Sequence, residues 1–183
     1  MICRTCFGGR MDVGRRCIAV DVETTGFSAS RGGRVIEVAA VVIENGRCGD
    51  EFHTLVDASS PIAAGAYRVH GISQTMLSGQ PQPDEVWTRF RQFVADSPLI
   101  AHNSSFDSSF IIHELGRLGY HLPNPWHCTV KLGRKRLPQL HNHKLETIAR
   151  HLFPDLPPDL RLHRAIDDAR LTARIWVALA GER

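Results

Sequence analysis

The sequence predicts an α/β domain built on a mixed sheet, and three observations predict it. Short β-branched runs bounded by turn residues fill residues 17–56, whereas residues 84–180 alternate helical apolar spacing with short apolar runs. An early meander followed by alternating helices and strands indicates a sheet of mixed direction with helices packed on it. At 183 residues, 43% apolar and 22% charged, the chain suits one domain with a substantial core, and it holds no internal repeat.

Residues 1–16 are polar, glycine-rich and aperiodic and read as a flexible lead-in, so a single domain is expected over 17–183. Ile18-Ala19-Val20 runs into Asp21, Glu23 and the turn at Thr25-Gly26. Short, β-branched and bounded by glycine, this is a buried strand. Residues 27–33 form a loop, Arg34 to Ile43 a longer strand, Asn45-Gly46 a hairpin turn and Glu51 to Val56 a third strand. Residues 62–78 are turn-rich. Pro81 and Pro83 precede a helix over Asp84 to Ala95, with Val86, Phe90, Phe93 and Val94 on one side. Pro98 to Ala101 is a short buried strand, and Ser104 to Leu118 is a helix with Ile111, Leu115 and Leu118 inward. Trp126 to Thr129 supplies a further strand. Basic helical segments follow at 130–137 and 143–153, then a proline-containing loop over 154–162. The last helix, Ala165 to Ala180, carries the stripe Ala165, Ala169, Thr172, Trp176 and Leu179. Trp87, Trp126 and Trp176 are assigned to the core.

Chemistry enters at three places. In a strand, side chains i and i+2 share a face, so Asp21 and Glu23 stand side by side, about 6.6 Å apart along the backbone. Adjacent carboxylates repel and require a cation or shared protons, and hard oxygen donors on a rigid strand suit Mg²⁺ or Mn²⁺. A solvated strand end carries the same pattern. Asp107 lies on the buried stripe of its helix, four and eight residues before Ile111 and Leu115, while Ser104-x-x-Asp107 also fits a capping box. His102-Asn103 adds polar groups at the same point. The third cluster is His163-Arg164-Ala165-Ile166-Asp167-Asp168. Asp168 falls on the packed side of the first turn of the last helix, and Asp167 points inward less clearly. His163, five residues before Asp168 and beside a loop, has the placement of a general base and equally that of a helix cap.

The formal net charge of +3 is unevenly spread: residues 117–164 hold nine Lys/Arg against three Asp/Glu, or +6. A basic second half facing an acidic motif suggests a phosphate-bearing substrate, and a basic solvated surface gives the same count. Five scattered cysteines point to reduced thiols. Cys3-x-x-Cys6 is half of a zinc site with no second half. No apolar run is longer than that of Val38 to Ile43, too short to span a bilayer, and the arginine-bearing N-terminus lacks the apolar stretch of a secretory signal, so a cytoplasmic location is expected.

Taken together, Asp21-Val22-Glu23-Thr24-Thr25-Gly26, His102-Asn103-Ser104-Ser105-Phe106-Asp107 and His163-Arg164-Ala165-Ile166-Asp167-Asp168-Ala169, in this order, resemble the motifs of the DEDDh 3′→5′ exonucleases. The likeness is greatest to the proofreading epsilon subunits of bacterial replicative DNA polymerases. Val69-His70-Gly71-Ile72 matches as well, and the resemblance covers roughly residues 17–180.

The resemblance implies a ribonuclease H-like fold, in which the antiparallel meander is extended by parallel strands into a five-stranded sheet flanked by helices. It implies that Asp21, Glu23, Asp107 and Asp168 hold two divalent ions, Mg²⁺ or Mn²⁺, and that His163 deprotonates the attacking water. The terminal nucleotide would lie against Thr24, Thr25, His70, Asn103 and Phe106, the aromatic face accepting any base. The expected reaction removes nucleoside 5′-monophosphates from the 3′ end of single-stranded DNA or RNA. Lys131, Arg134, Lys135 and Arg136 would bind the backbone farther along, unless they form a plain solvated face. The expected partner is nucleic acid with a free 3′ end, and a DNA polymerase subunit is a further candidate. The epsilon subunit docks through a tail after its nuclease domain, and this chain ends at Arg183 with almost nothing beyond the last helix. Two other classes of function remain: a catalytically idle nucleic-acid-binding module, and a metal phosphoesterase for small nucleotides.

Overall fold

The computed structural model describes residues 16–157 and 162–181. Its centre is a five-stranded sheet: β1 (Cys17–Thr24), β2 (Val35–Glu44), β3 (Arg47–Leu55), β4 (Leu99–Ala101) and β5 (Trp126–Cys128). The spatial order is β3-β2-β1-β4-β5. β1–β2 and β2–β3 pair antiparallel, whereas β1–β4 and β4–β5 pair parallel. The meander arises from local chemistry. Asn45 and Gly46 both take positive φ (52° and 72°), the backbone that a two-residue turn needs to follow the strand twist.

Helices cover both faces. Ile18, Val20 and Val22 of β1 pack with Val38, Ala40 and Val42 of β2 against α3 (Pro83–Val94) and α4 (Ser104–Arg117). Ala19, Ala39, Val41 and Ile43 face the other way, onto α5 (Thr129–Arg136), α6 (Leu145–Leu152) and α7 (Ala165–Gly181). β1 is therefore a central strand with apolar layers on both sides, which is why Ile18, Ala19 and Val20 are wholly buried. Its alternation continues to the end, so Asp21 and Glu23 inherit the α7 face. No helix among the described residues is long and apolar enough to cross a membrane.

The expected strands and helices are present, with instructive differences, and residues 158–161 of the expected loop lie outside the described residues. The turn-rich stretch 62–78 holds two short helices, α1 (Ala64–His70) and α2 (Gln74–Leu77). Gly71, left-handed at φ 69°, ends α1, and the Ser73 hydroxyl accepts from the Met76 N–H to begin α2. The small and turn-forming residues around these pieces hide their periodicity. Residues 29–31 add a 3₁₀ turn inside the expected loop. β3 begins at Arg47, directly after the turn, because hairpin pairing extends the ladder through polar residues. Arg16, assigned to the lead-in, bonds the Phe93 carbonyl at 3.1 Å and the Ser97 hydroxyl. The rest of that lead-in and Cys3-x-x-Cys6 lie outside the described residues. Trp87 and Trp176 are buried and Trp126 partly so.

Candidate active site

Parallel strands deliver chain to one edge of the sheet, and clefts form beyond their carboxyl ends. Here β1 ends at Thr24 and β4 at Ala101, from which the chain turns through His102 and Asn103 into α4. Asn103 takes a left-handed conformation (φ 68°) at the α4 N-cap, with Ser104 the first helical residue. The expected capping box is therefore out of register: Ser104 is not the cap. Asp107 instead turns toward β1, within reach of the Val22 N–H. α7 brings the third segment across the α7 face of β1. One pocket is lined by Asp21, Glu23, Asp107 and Asp168 together with His163.

The electrostatics of the acids are those of crowded, desolvated charge. Burial, then Asp107, Asp168, Glu23 and Glu37, hold Asp21 well above the usual carboxylate range. Burial with Asp168, Glu37 and Asp107 lifts Glu23 to about 8. Burial takes Asp107 to about 7 against the pull of its own and Val22's backbone N–H groups. Burial takes Asp168 to about 6 despite the His163 N–H, which donates to its Oδ2 at 3.2 Å.

A divalent cation fits these residues. Asp168 Oδ1 is buried and has no hydrogen-bond partner, an acceptor left over in a place where polar atoms are ordinarily satisfied. Glu23, His163 and Asp168 each offer one donor atom, all within 4.8 Å of one another. Carboxylate oxygens with one imidazole suit Mg²⁺ or Mn²⁺.

His163 is exposed and left-handed at φ 69°, an uncommon backbone for a non-glycine residue. Of the expected nucleotide contacts, Thr24, His70, Asn103 and Phe106 line the pocket. Thr25 is not among the residues lining it. Its hydroxyl accepts the Arg34 N–H at 2.9 Å and so serves the β1–β2 connection. His70 is held on both ring nitrogens by backbone: Nδ1 accepts from Ile72 N–H (3.0 Å), which leaves Nε2–H to donate to the Thr24 carbonyl (3.2 Å). The ring thus straps α1 to the end of β1. The Phe106 ring leans on Phe110 at 4.9 Å. Lys131, Arg134, Lys135 and Arg136 are exposed along α5.

Phe27, Glu37 and the neutral state of His102 escape a reading of the sequence. Phe27, on the pocket rim, is 71% exposed, and nothing marks it beyond its place after Gly26. His102 is pushed down to about 4 by burial, and so is a neutral imidazole bonded to Thr129 Oγ1 at 2.9 Å. Glu37, wholly buried, faces Glu23 across the β1–β2 ladder and is paired with Arg164. A lone acid inside the apolar run from Val35 to Ile43 was the available signal, since such a charge needs a partner.

The RNase_T family model, described as an exonuclease, matches residues 18–176. A DNA polymerase III PolC-type protein of Clostridium perfringens is 42% identical over 158 residues, covering 86% of this chain and 11% of the relative. A DNA polymerase III subunit epsilon-like protein of Rhodobacter capsulatus is 34% identical over 164 residues, covering 88% of this chain and 23% of the relative. The chain thus spans about a tenth to a quarter of the length of these relatives. Among solved structures, exonuclease X in complex with 5′ overhanging duplex DNA superposes with a TM-score of 0.71 at 28% identity, covering 90% of this chain and 89% of that one.

Proposed function

The chain belongs to this exonuclease family and has a ribonuclease H-like fold, and we propose that it is a 3′-5′ exonuclease that removes nucleoside 5′-monophosphates one at a time from single-stranded DNA or RNA ends. The observation that carries the proposal is the convergence of four raised carboxylates from β1, α4 and α7 on one pocket, with a buried Asp168 oxygen left without a donor. Asp21, Glu23, Asp107 and Asp168 hold two divalent ions, Mg²⁺ or Mn²⁺. Such ions lower the cost of forming hydroxide and of expelling the 3′-oxygen.

The chain's own groups do the remainder. The His163 imidazole accepts the proton of the attacking water, a role open to it because the residue is exposed and lines the pocket beside the acids. Phe106 and Phe27 offer faces to the terminal bases, and stacking of this kind tolerates any sequence. Thr24, His70 and Asn103 complete the wall against the terminal nucleotide. The α5 cations bind phosphates farther along the strand. A DNA polymerase is the proposed partner, in keeping with the names of the relatives.

Digestion of matched 5′-labelled DNA and RNA oligomers tests the reading. With Mg²⁺ or Mn²⁺ each labelled strand that is a substrate shortens as a ladder, and chelator stops it. Cutting of a circular single strand, or full activity in chelator, would overturn it.

A further inference from the structure

The buried Glu37 carboxylate is absorbed by none of the roles above, although it lies on the same sheet face as Asp21 and Glu23 and directly opposite Glu23. Its oxygens are taken by four donors from two elements. Arg164 donates through Nε (3.1 Å to each oxygen) and Nη2 (2.7 Å), the Ala165 N–H donates at 3.0 Å, and His53 Nε2 lies 2.8 Å away. Both residues that follow His163 are therefore fastened to one β2 side chain. The Arg164 carbonyl in turn accepts the N–H groups of Asp167 and Asp168, starting the helix that carries Asp168.

Fixing residues 164 and 165 in this way leaves residue 163 little choice. The backbone enters α7 left-handed at His163, and in that conformation the His163 N–H meets Asp168 Oδ2. A left-handed non-glycine residue is strained and persists only where its surroundings enforce it. We propose that the Glu37–Arg164 pair is a positioning device that holds His163 over the acid cluster. The inference rests on the reading of His163 as the base. Arg164 also opposes, at Glu23, the raising effect of the Glu37 charge beside it.

The test uses Arg164→Lys, His163→Ala and the double variant, in the full chain. Arg164 is partly exposed, so lysine keeps a charge against Glu37 but loses the two-pronged grip. Arg164→Lys should lower kcat on a single-stranded oligomer by about 10–100-fold, the scale of a misplacement near 1 Å, with KM little changed. On the His163→Ala background the same change should cost less than about twofold, because residues that act as a unit are not additive. In chelator, with no reaction running, the His163 amide should exchange about fivefold faster in Arg164→Lys, the worth of one ordinary hydrogen bond. Additive losses of kcat, or an unchanged His163 amide, would reduce the pair to a plain ion bridge and leave the base reading standing. A wild-type rate in His163→Ala would instead remove the base reading, and the amide exchange alone then decides the clamp: faster exchange keeps it, unchanged exchange removes it.

Discussion

Replacing Asp168 by asparagine should make the metal-free protein more stable while destroying its activity. Asp168 titrates near 6 in the folded protein, against 3.8 for a free aspartate, chiefly because it is buried. A rise of this size corresponds to a destabilisation of a few kcal/mol once the group is ionised. Its charge also raises Asp21, Glu23 and Asp107. Asparagine keeps the shape, and its carbonyl can still accept the His163 N–H. Two losses oppose the gain: a carboxylate in the first turn of α7 is worth about 0.5 kcal/mol against the helix dipole, and the new amide must find an acceptor. The net expectation at pH 8 in chelator is about 1–3 kcal/mol of added stability, or about 2–10 °C in Tm for a chain of this size. The sign follows from the raised value. The destabilisation is absent below about 3.8, where both states are protonated, grows as the pH rises toward about 6, and is complete above it. The gap between variant and wild type should therefore be small near pH 4.5 and full at pH 8. Saturating Mn²⁺ should reverse the order, since the wild type gains roughly 2.7 kcal/mol at a hundred times its Kd. Melting curves in chelator and in Mn²⁺ at both pH values check all of this. A variant less stable than wild type at pH 8 in chelator would refute the reasoning, making Asp168 an ordinary cap and not a frustrated ligand.

Mn²⁺ affinity should fall on acidification through about 8, 7 and 6, as Glu23, Asp107 and Asp168 take up protons that the ion must displace, by up to about tenfold per pH unit for each proton; calorimetric titration measures it. His163→Ala should lower kcat by about 10²–10⁴-fold while Mn²⁺ still binds. Lost binding would instead make the imidazole a ligand alongside Glu23 and Asp168. Ala95, with φ 45° and ψ −126° at the end of α3, occupies a backbone region that suits glycine; Ala95→Gly should raise stability by about 1 kcal/mol, read as a Tm increase with unchanged kcat. Replacing Arg134, Lys135 and Arg136 together by alanine should weaken binding of long strands and flatten its salt dependence, each lost phosphate contact reducing the slope by roughly 0.7, while dinucleotide turnover stays near wild type.

The strand alternation that ends in Asp21 and Glu23 was readable because a buried central strand has one rule, and its apolar residues Ile18 to Val20 obey it up to the motif. The inward stripe of α7 was readable for the same reason, since Ala165, Ala169, Thr172, Trp176 and Leu179 are all buried. What escaped depends on pairing across the sheet. Glu37 meets Arg164 over 127 residues of chain, and only the register Glu23↔Glu37 reveals which carboxylates share the face. The engagement of His70 with backbone on both nitrogens, and of Thr25 with Arg34, follows likewise from turns whose geometry no periodicity specifies.

The acids in and beside the sheet divide into two kinds, and the division explains how one small sheet tolerates them. Glu114 on α4 accepts both arms of Arg34 (2.7 and 2.9 Å) and the Val35 N–H, and Glu37 accepts Arg164, the Ala165 N–H and His53. Removing either arginine would strand a buried charge, a loss of about 3–5 kcal/mol. Asp21, Glu23, Asp107 and Asp168 have no arginine in their grip, and burial first, then neighbouring carboxylates, raises them. The satisfied pairs lie at the start of β2, three residues apart. One fastens β2 to α4, two helical turns beyond Asp107, and the other fastens it to α7, one turn before Asp168. The same strand that locks these helices pairs with β1 and so fixes Asp21 and Glu23. Four mutually repelling carboxylates on three separate segments can be held within reach of common cations because each segment is fastened, a few residues away, to β2.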